Sequence, residues 1–465
     1  MDFTSQLKSY LSGDVILYYI IGFILLENVF ELYLIMRQVN VYKTSKKVPV
    51  ELKNELTMET FDKARLYGLD KSQFSIVKSI LLEVILVPLE LYYGVLSLMW
   101  YKSQELTAQL NLNPDSEIQT SCVLILVLTV VSLVKEMPFT IYSVFVLEEK
   151  HGFNKQTAGF FVIDQLKSLA LSITLTLPIA SAVIYIVQIG GQYFFVWLWL
   201  FVGIVTLLFV TIYPVFIAPL FDTYRPLDDG PLRKSIEELS AKLKFPLKQL
   251  YVVEGSKRSA HSNAYFYGLW GSKRIVLFDT LLINKGKPIE ENKSEDATEG
   301  DTLLPAKDNK GCEDSEVLAV LAHELGHWKL GHVTKNIIIS QVHLFLMFFA
   351  FGYLFHFDPV YRAVGFKEGE KPVLVGLILI FTYIFGAYNS LITFAMTVLS
   401  RKFEYQADEF AQKLGYSNEL SKALIKLNID NLGFPIYDWM YSSWSHSHPT
   451  LLQRMDRLKQ NKKTN

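Results

Sequence analysis

The chain has 465 residues, 51% of them hydrophobic and 14% aromatic, with a formal net charge of −1. A mean hydropathy of +0.24 is too apolar for an ordinary soluble enzyme and points to a membrane protein. The near-neutral balance offers no field for nucleic acid, and the two distant cysteines, Cys122 and Cys312, indicate no disulfide framework.

Taken in chain order, seven apolar runs are long enough to cross about 30 Å of hydrocarbon as helix. The first, Val15–Met36, carries Glu27 and Glu31 and reads as an uncleaved anchor. Phe74–Trp100 contains Lys78, Glu83 and Glu90, and Ser121–Val146 contains Lys135 and Glu136. The other four, Ser168–Ile189, Tyr193–Ile217, Ile337–Phe357 and Pro372–Ser400, contain no Asp, Glu, Lys or Arg. Eight basic residues lie between the first two spans, from Arg37 to Lys71, whereas the next connection holds only Lys102. This alternation continues through the long segment after the fifth span and weakens at the sixth connection. It predicts a lumenal N-terminus and places the later polar segment and the C-terminal tail in the cytosol. The last four residues, Lys462 to Asn465, resemble a dilysine retrieval signal, which a cytosolic tail makes readable. Charges inside spans are costly and usually face a bundle interior or a hydrated cavity. Glu27 and Glu83 sit near mid-span and predict such a space; Lys135 and Glu136 fit snorkelling at a membrane end equally well.

After the fifth span the chain changes character. Pro226–Gly230 reads as a turn, Leu232–Leu243 has helical apolar spacing, and Leu250–Val253 reads as a strand. Asn263–Gly268 and Arg274–Phe278 read as two further strands joined through Trp270–Ser272. Residues 284–315 are dense in charge and read as a solvated insertion without a chemical role. Glu316 then opens a helix that is expected to run on through His332 into the sixth span.

That helix carries His323-Glu324-Leu325-Gly326-His327. Residues at i and i+4 share a helix face, so two imidazoles can bind one Zn²⁺ while Glu324 reaches the water that the metal activates. A catalytic zinc needs a third protein ligand. Just past the seventh span, Glu404 and Asp408 stand at i and i+4. Glu404 is taken as that ligand and Asp408 as a hydrogen-bonding partner of a ligand histidine; on spacing alone, a solvated acidic pair fits as well. His332 is a rival ligand, discounted because five residues turn it about 140° around a continuous helix. In the tail, His448 and Arg454 are candidates to stabilise an oxyanion, and His446 would serve as well as His448. Asn263, Ala264 and Tyr265 are the candidate strand edge for an extended peptide.

Several stretches together resemble the type I CAAX prenyl proteases: HELGHW at 323–328, RKFEYQAD at 401–408, EGSKRSAHSNAYFYG at 254–268, SHPTLLQR at 447–454 and LEEKHGFN at 147–154. The resemblance covers essentially the whole chain. It implies an integral-membrane zinc metallopeptidase of the endoplasmic reticulum and inner nuclear envelope, acting on prenylated CAAX proteins. It implies one zinc held by His323, His327 and Glu404, with Glu324 as base and Asp408, His448 and Arg454 around the site. It also implies a barrel of seven helices enclosing a chamber, capped by a cytosolic α+β protease domain. The expected organisation is spans one to five over 1–217, the protease segment over 218–335, spans six and seven over 336–400, and a completing segment over 401–465. Two other readings use the same features. One is a quality-control metalloprotease for misfolded or translocation-stalled proteins, and the other is a transporter or scaffold with structural zinc; only a His₂Glu set is apparent, which argues against the last.

Overall fold

The computed structural model describes residues 11–268, 272–283 and 310–460. Among these, five helices are long and apolar enough to cross a bilayer: α1 (Gly13–Thr44), Glu117–Glu148, α5 (Ala158–Ile189), Gly191–Leu220 and α9 (His332–Leu354). Val373–Ile384 and α10 (Gly386–Lys413) form a sixth only as a pair bent by 61°. The remaining expected span, Phe74–Trp100, lies on a helical path that begins with α2 (Met58–Ser79) and runs on to Tyr92. Gly94 then adopts φ +61°, a left-handed conformation that costs glycine little, and α3 (Val95–Gln109) restarts the chain. This stretch, which carries Lys78, Glu83 and Glu90, is not among the five long apolar helices. A total of seven is reached only if this charged, interrupted path also crosses.

Side-chain caps start several of these helices: Ser12 accepts from the Val15 amide, Thr57 from Thr60 and Thr157 from Phe160. Between them, α4 (Glu117–Tyr142) and α6 (Phe194–Ile212) belong to the spans listed above by their outer bounds. Ile20, Leu124, Ile184, Leu198, Phe351 and Leu379 come from six different helical segments and meet in one fully buried apolar cluster. Large apolar side chains such as Leu26, Val134 and Phe216 instead point outward, the composition of a lipid-facing surface. Within the bundle, four of the intramembrane charges form two ion pairs. Lys135 Nζ lies 3.0 Å from Glu90 Oε1, and Lys78 Nζ lies 2.7 Å from Glu136 Oε2.

The polar unit holds a four-stranded sheet in the order β1 (Tyr224–Pro226), β2 (Leu247–Val253), β4 (Lys273–Phe278), β3 (Ala264–Tyr267). Strands β2 and β4 run parallel, with α7 (Pro231–Leu243) leading into β2, and the outer strands pair antiparallel. The short β1 occupies the start of the expected turn. The joining turn at 269–271, most of the charged insertion (284–309) and the dilysine residues lie outside the described residues.

The site helix, α8 (Asp314–Lys329), is opened by Glu313 rather than Glu316. The Glu313 amide donates to Glu316 Oε2 at 2.8 Å, completing a capping box. Val317, Leu321 and Leu325 of α8 are buried with Ile236 of α7 and with Val252 and Ile275 of the sheet. The same core takes Ala411 of α10, Leu420 of α11 (Ser417–Asp430) and Leu458 of α13 (Leu451–Gln460). Each of the Val, Leu and Ile side chains contributes roughly 1.5–3 kcal/mol on burial. That core therefore fastens the C-terminal helices onto α8 across more than eighty residues of intervening span. The expectation that α8 continues into the sixth span is overturned. The helix ends at Lys329, Gly331 takes φ +68°, and α9 begins afresh at His332.

Candidate active site

Helices α8 and α10 approach each other without a side chain between them at Gly326. This close contact sets the buried Glu404 of α10 against the two histidines of α8. His323 Nε2 and His327 Nε2 face each other at 3.2 Å, and they lie 3.4 and 3.2 Å from Glu404 Oε2 and Oε1. The three potential donor atoms all fall within 4.8 Å of one another. Glu404 Oε2 is buried and accepts no well-aligned hydrogen bond, although His448 Nδ1 stands 2.9 Å away. Two converging imidazole nitrogens and an orphaned carboxylate oxygen form a donor set that fits a divalent cation of the zinc type.

The outer faces of these groups are also held. His323 Nδ1 lies 2.9 Å from Asp408 Oδ1, and Arg454 donates to both Asp408 oxygens, from Nε at 2.8 Å and Nη2 at 2.5 Å. Asp408 is 1% exposed, so an unpaired charge there would be expensive. Arg454 Nη1 also comes within 3.6 Å of Glu404 Oε2. Burial works against a proton on His323, but its contacts with Asp408 and Glu404 outweigh this and push its pKa up to about 9. The carboxylates that attract a proton there attract a cation by the same field. For Glu324, burial is the largest influence and raises the carboxyl above its ordinary range, against the opposing pull of His323 and His327.

His448 is exposed at the rim, whereas His446 is withdrawn against the rings of Tyr437 and Tyr441, 4.6 and 5.4 Å away. The two are therefore not equivalent, and His448 is the one that reaches Glu404. Its loop is clamped by Arg401, which donates to the carbonyls of Ser442 at 3.1 Å and His448 at 3.3 Å. Strand β3 is an edge of the sheet, and α8 packs against it. Asn263 is exposed, Ala264 turns its methyl into the core, and the Tyr265 hydroxyl lies 3.2 Å from that of Tyr224.

Two residues outside the expected set complete the surroundings, and a third, Arg258, ties the loop before β3 to α5. His332 is buried, with Nδ1 2.9 Å from His327 Nδ1. Gln406 Oε1 lies 3.1 Å from His332 Nε2. Arg258, in the loop before β3, is bidentate to Asp164 of α5 at 2.6 and 2.8 Å and also donates to Asp222 at 2.8 Å. A signal for His332 is present in the sequence: Gly331 is the residue type that ends helices in a left-handed turn.

Residues 38–223 match the family described as CAAX prenyl protease N-terminal, five membrane helices, and residues 226–462 match peptidase family M48. The human CAAX prenyl protease 1 homolog is 47% identical over 439 residues, covering 92% of this chain and 92% of its own. The Arabidopsis thaliana CAAX prenyl protease 1 homolog is 41% identical over 436 residues, covering 94% and 96%. The crystal structure of S. mikatae Ste24p superposes with a TM-score of 0.80 at 35% identity, covering 95% of this chain and 98% of that one.

Proposed function

The chain belongs to peptidase family M48 with a CAAX prenyl protease N-terminal domain, and from that membership we propose how its site works. The protein is a membrane metalloprotease that processes prenylated CAAX proteins, removing the C-terminal tripeptide. The observation that carries this reading is the convergence of His323, His327 and Glu404 beside Glu324.

His323, His327 and Glu404 would hold a zinc ion, which would supply Lewis-acid chemistry to the water and the scissile carbonyl. Glu324 removes a proton from the attacking water and delivers it to the amine as the C–N bond breaks. Its raised pKa suits it to both halves of that transfer. His448, at the open rim, donates to the carbonyl oxygen as negative charge develops there. Arg454 is already committed to Asp408, so its part is to hold Asp408 against His323 Nδ1 and keep Nε2 turned inward.

An extended peptide can add to the free edge of β3 through main-chain hydrogen bonds, with Asn263, Ala264 and Tyr265 as its register. The prenyl chain of such a substrate can stay in hydrocarbon while the tripeptide reaches the site, and spans that enclose a hydrated chamber would admit it. We place the protein in the endoplasmic reticulum membrane on the strength of its family, and the N-terminus in the lumen with the site and tail in the cytosol on the strength of the loop charges. Protection of a C-terminal tag from protease in intact microsomes would contradict that orientation.

The test is cleavage of a farnesylated C-a-a-X peptide by the purified chain, with a chelator and with zinc restored. Chelator-sensitive release of the tripeptide that depends on the prenyl group is expected. Equal cleavage of an unprenylated, unfolded protein would turn the assignment toward quality control.

A further inference from the structure

We propose that His332 is a positioning residue for metal ligation: together with Gln406 it fixes the tautomer of His327 so that Nε2 is always free for the cation. This rests on the metalloprotease reading above and extends it to two residues that touch neither cation nor substrate.

The geometry is a chain of three groups. Gln406 Oε1, His332 Nε2, His332 Nδ1 and His327 Nδ1 follow one another at 3.1 and 2.9 Å on either side of the His332 ring. The ring is 2% exposed and lies flat on Phe403, with centroids 4.0 Å apart and planes inclined by 6°. The ring is thus shielded from bulk solvent, and a 180° flip, which would keep the stack, would carry both nitrogens away from Gln406 and His327.

A neutral imidazole has one N–H and one lone pair, so such a chain can run in only two directions. In one, Gln406 presents its amide N–H to His332, which donates to His327 Nδ1. His327 then carries its proton on Nε2 and cannot ligate. In the other, Gln406 presents its carbonyl oxygen. It accepts from His332 Nε2–H, leaving His332 Nδ1 as an acceptor for His327 Nδ1–H. His327 Nε2 is then the lone pair that faces His323 and Glu404. Only the second direction is compatible with ligation.

His323 obtains the same result from Asp408, which accepts at Nδ1. Each ligand histidine thus has its own acceptor behind it, one ionic and one neutral. Both Gln406 and Asp408 belong to α10, the helix that also supplies Glu404. The break at Gly331 makes this possible, because an uninterrupted helix would swing His332 about 140° away from His327.

The experiment measures zinc affinity of the purified full chain by competition with a chromophoric chelator, alongside the visible spectrum of the cobalt-substituted protein. His332→Phe keeps the stack on Phe403 and removes the acceptor; it should bind zinc about 10–100-fold more weakly at an unchanged melting temperature of the metal-free chain. His332→Asn loses the stack but restores an acceptor near the Nδ1 position, and should recover most of the affinity and the wild-type cobalt spectrum. Gln406→Leu should weaken zinc binding while Gln406→Glu, which keeps the acceptor, should not. If His332→Phe does not fold, the Gln406 pair carries the test. Wild-type affinity in both His332→Phe and Gln406→Leu overturns the proposal. A wild-type chain that takes up no zinc, or a Glu404→Ala chain that keeps it fully, overturns the underlying reading instead.

Discussion

Gly326 of α8 lies so close to α10 that a Cβ added to it would stand 3.3 Å from the Ala407 Cα and 3.1 Å from Phe410 Cδ1. The Ala407 contact is with backbone, which cannot rotate away. Glu404 lies one turn before Ala407 to Asp408 on α10, and His323 and His327 flank Gly326 on α8. The separation of the two helices at this glycine therefore sets the distance between the third donor and the first two.

Gly326→Ala should consequently keep the protein folded and disturb the site. A few tenths of an ångström added between the helices loosens all three donors at once. Metal analysis after purification should show substoichiometric zinc, and peptide cleavage should fall by about 10-fold or more, in line with what small misplacements cost. Full zinc content with normal turnover would show that the helices yield elsewhere.

Glu324 sits beside the converging donors without being one of them. Glu324→Gln should therefore retain zinc and melt like the parent, while kcat/KM drops by about 10²-fold or more. Near-normal turnover would remove Glu324 from its role as base.

Glu404→Ala and Asp408→Asn separate ligation from orientation. The first deletes a donor, so zinc content and rate should both collapse. The second leaves all three donors but strips His323 Nδ1 and Arg454 of their ionic partner, so affinity should fall by about 10–100-fold with partial occupancy retained at excess zinc. Equal loss in both variants would mean that Asp408 is doing more than holding His323.

The HExxH half of the site was readable because its i, i+4 pattern has one chemical meaning, whereas Glu404 and Asp408 fit a solvated acidic pair equally well on spacing alone and were singled out by the resemblance. The edge position of Ala264–Tyr267 was readable too, since short alternating strands beside a Gly-containing turn leave few topologies. His332 was not, because its angle was reckoned along an unbroken helix and Gly331 breaks it. Gln406 and Arg401 lie in the RKFEYQAD stretch, but no spacing assigns them a role; that depends on where α10 meets the loop of His448 and the start of α9. The Phe74–Trp100 run shows the limit of counting apolar length. Lys78 and Glu90 acquire their ion-pair partners from Ser121–Val146, and Gly94 interrupts a path that hydropathy reads as continuous.

Asp438 joins the tail to the first span across four hundred residues. Arg37 donates to it from Nε at 3.0 Å and Nη2 at 2.8 Å, and it caps α12 (Trp439–Ser445) by accepting from the Met440 and Tyr441 amides. The hydrogen bonds from Arg37 are the largest influence on its carboxyl and hold its pKa below the ordinary 3.8. A depressed carboxylate stabilises the fold fully above its unfolded pKa and loses that contribution as pH falls through the folded one. Melting temperatures of the detergent-solubilised protein between pH 6 and pH 3 should therefore drop in the acid part of that range, and less so for Asp438→Asn, which has already lost the pair. Parallel curves for the two proteins would remove Asp438 from the acid response.

The intramembrane pair Lys135–Glu90 offers the sharpest separation between burial and hydration. Its two hydrogen bonds, 3.0 and 3.1 Å, join the charged path after α2 to α4. In a dry bundle, Glu90→Gln leaves an uncompensated ammonium and should cost about 3–5 kcal/mol, whereas replacing both partners, as in Glu90→Gln with Lys135→Met, should restore much of the loss. In a hydrated chamber, water solvates whichever charge remains, so each single change should cost little and the two should add. The chamber reading predicts the second pattern, with cysteines at 27, 31, 83 and 90 modified by small water-soluble thiol reagents in native membranes. Glu27 already has a polar setting of this kind, hydrogen-bonded by Ser390 in a cavity of about 260 Å³ that also includes Glu31 and Asn389. Strong coupling in the double-mutant cycle, together with inert cysteines at all four positions, would make the bundle a dry one. A prenylated peptide would then have to reach the zinc donors from outside the spans.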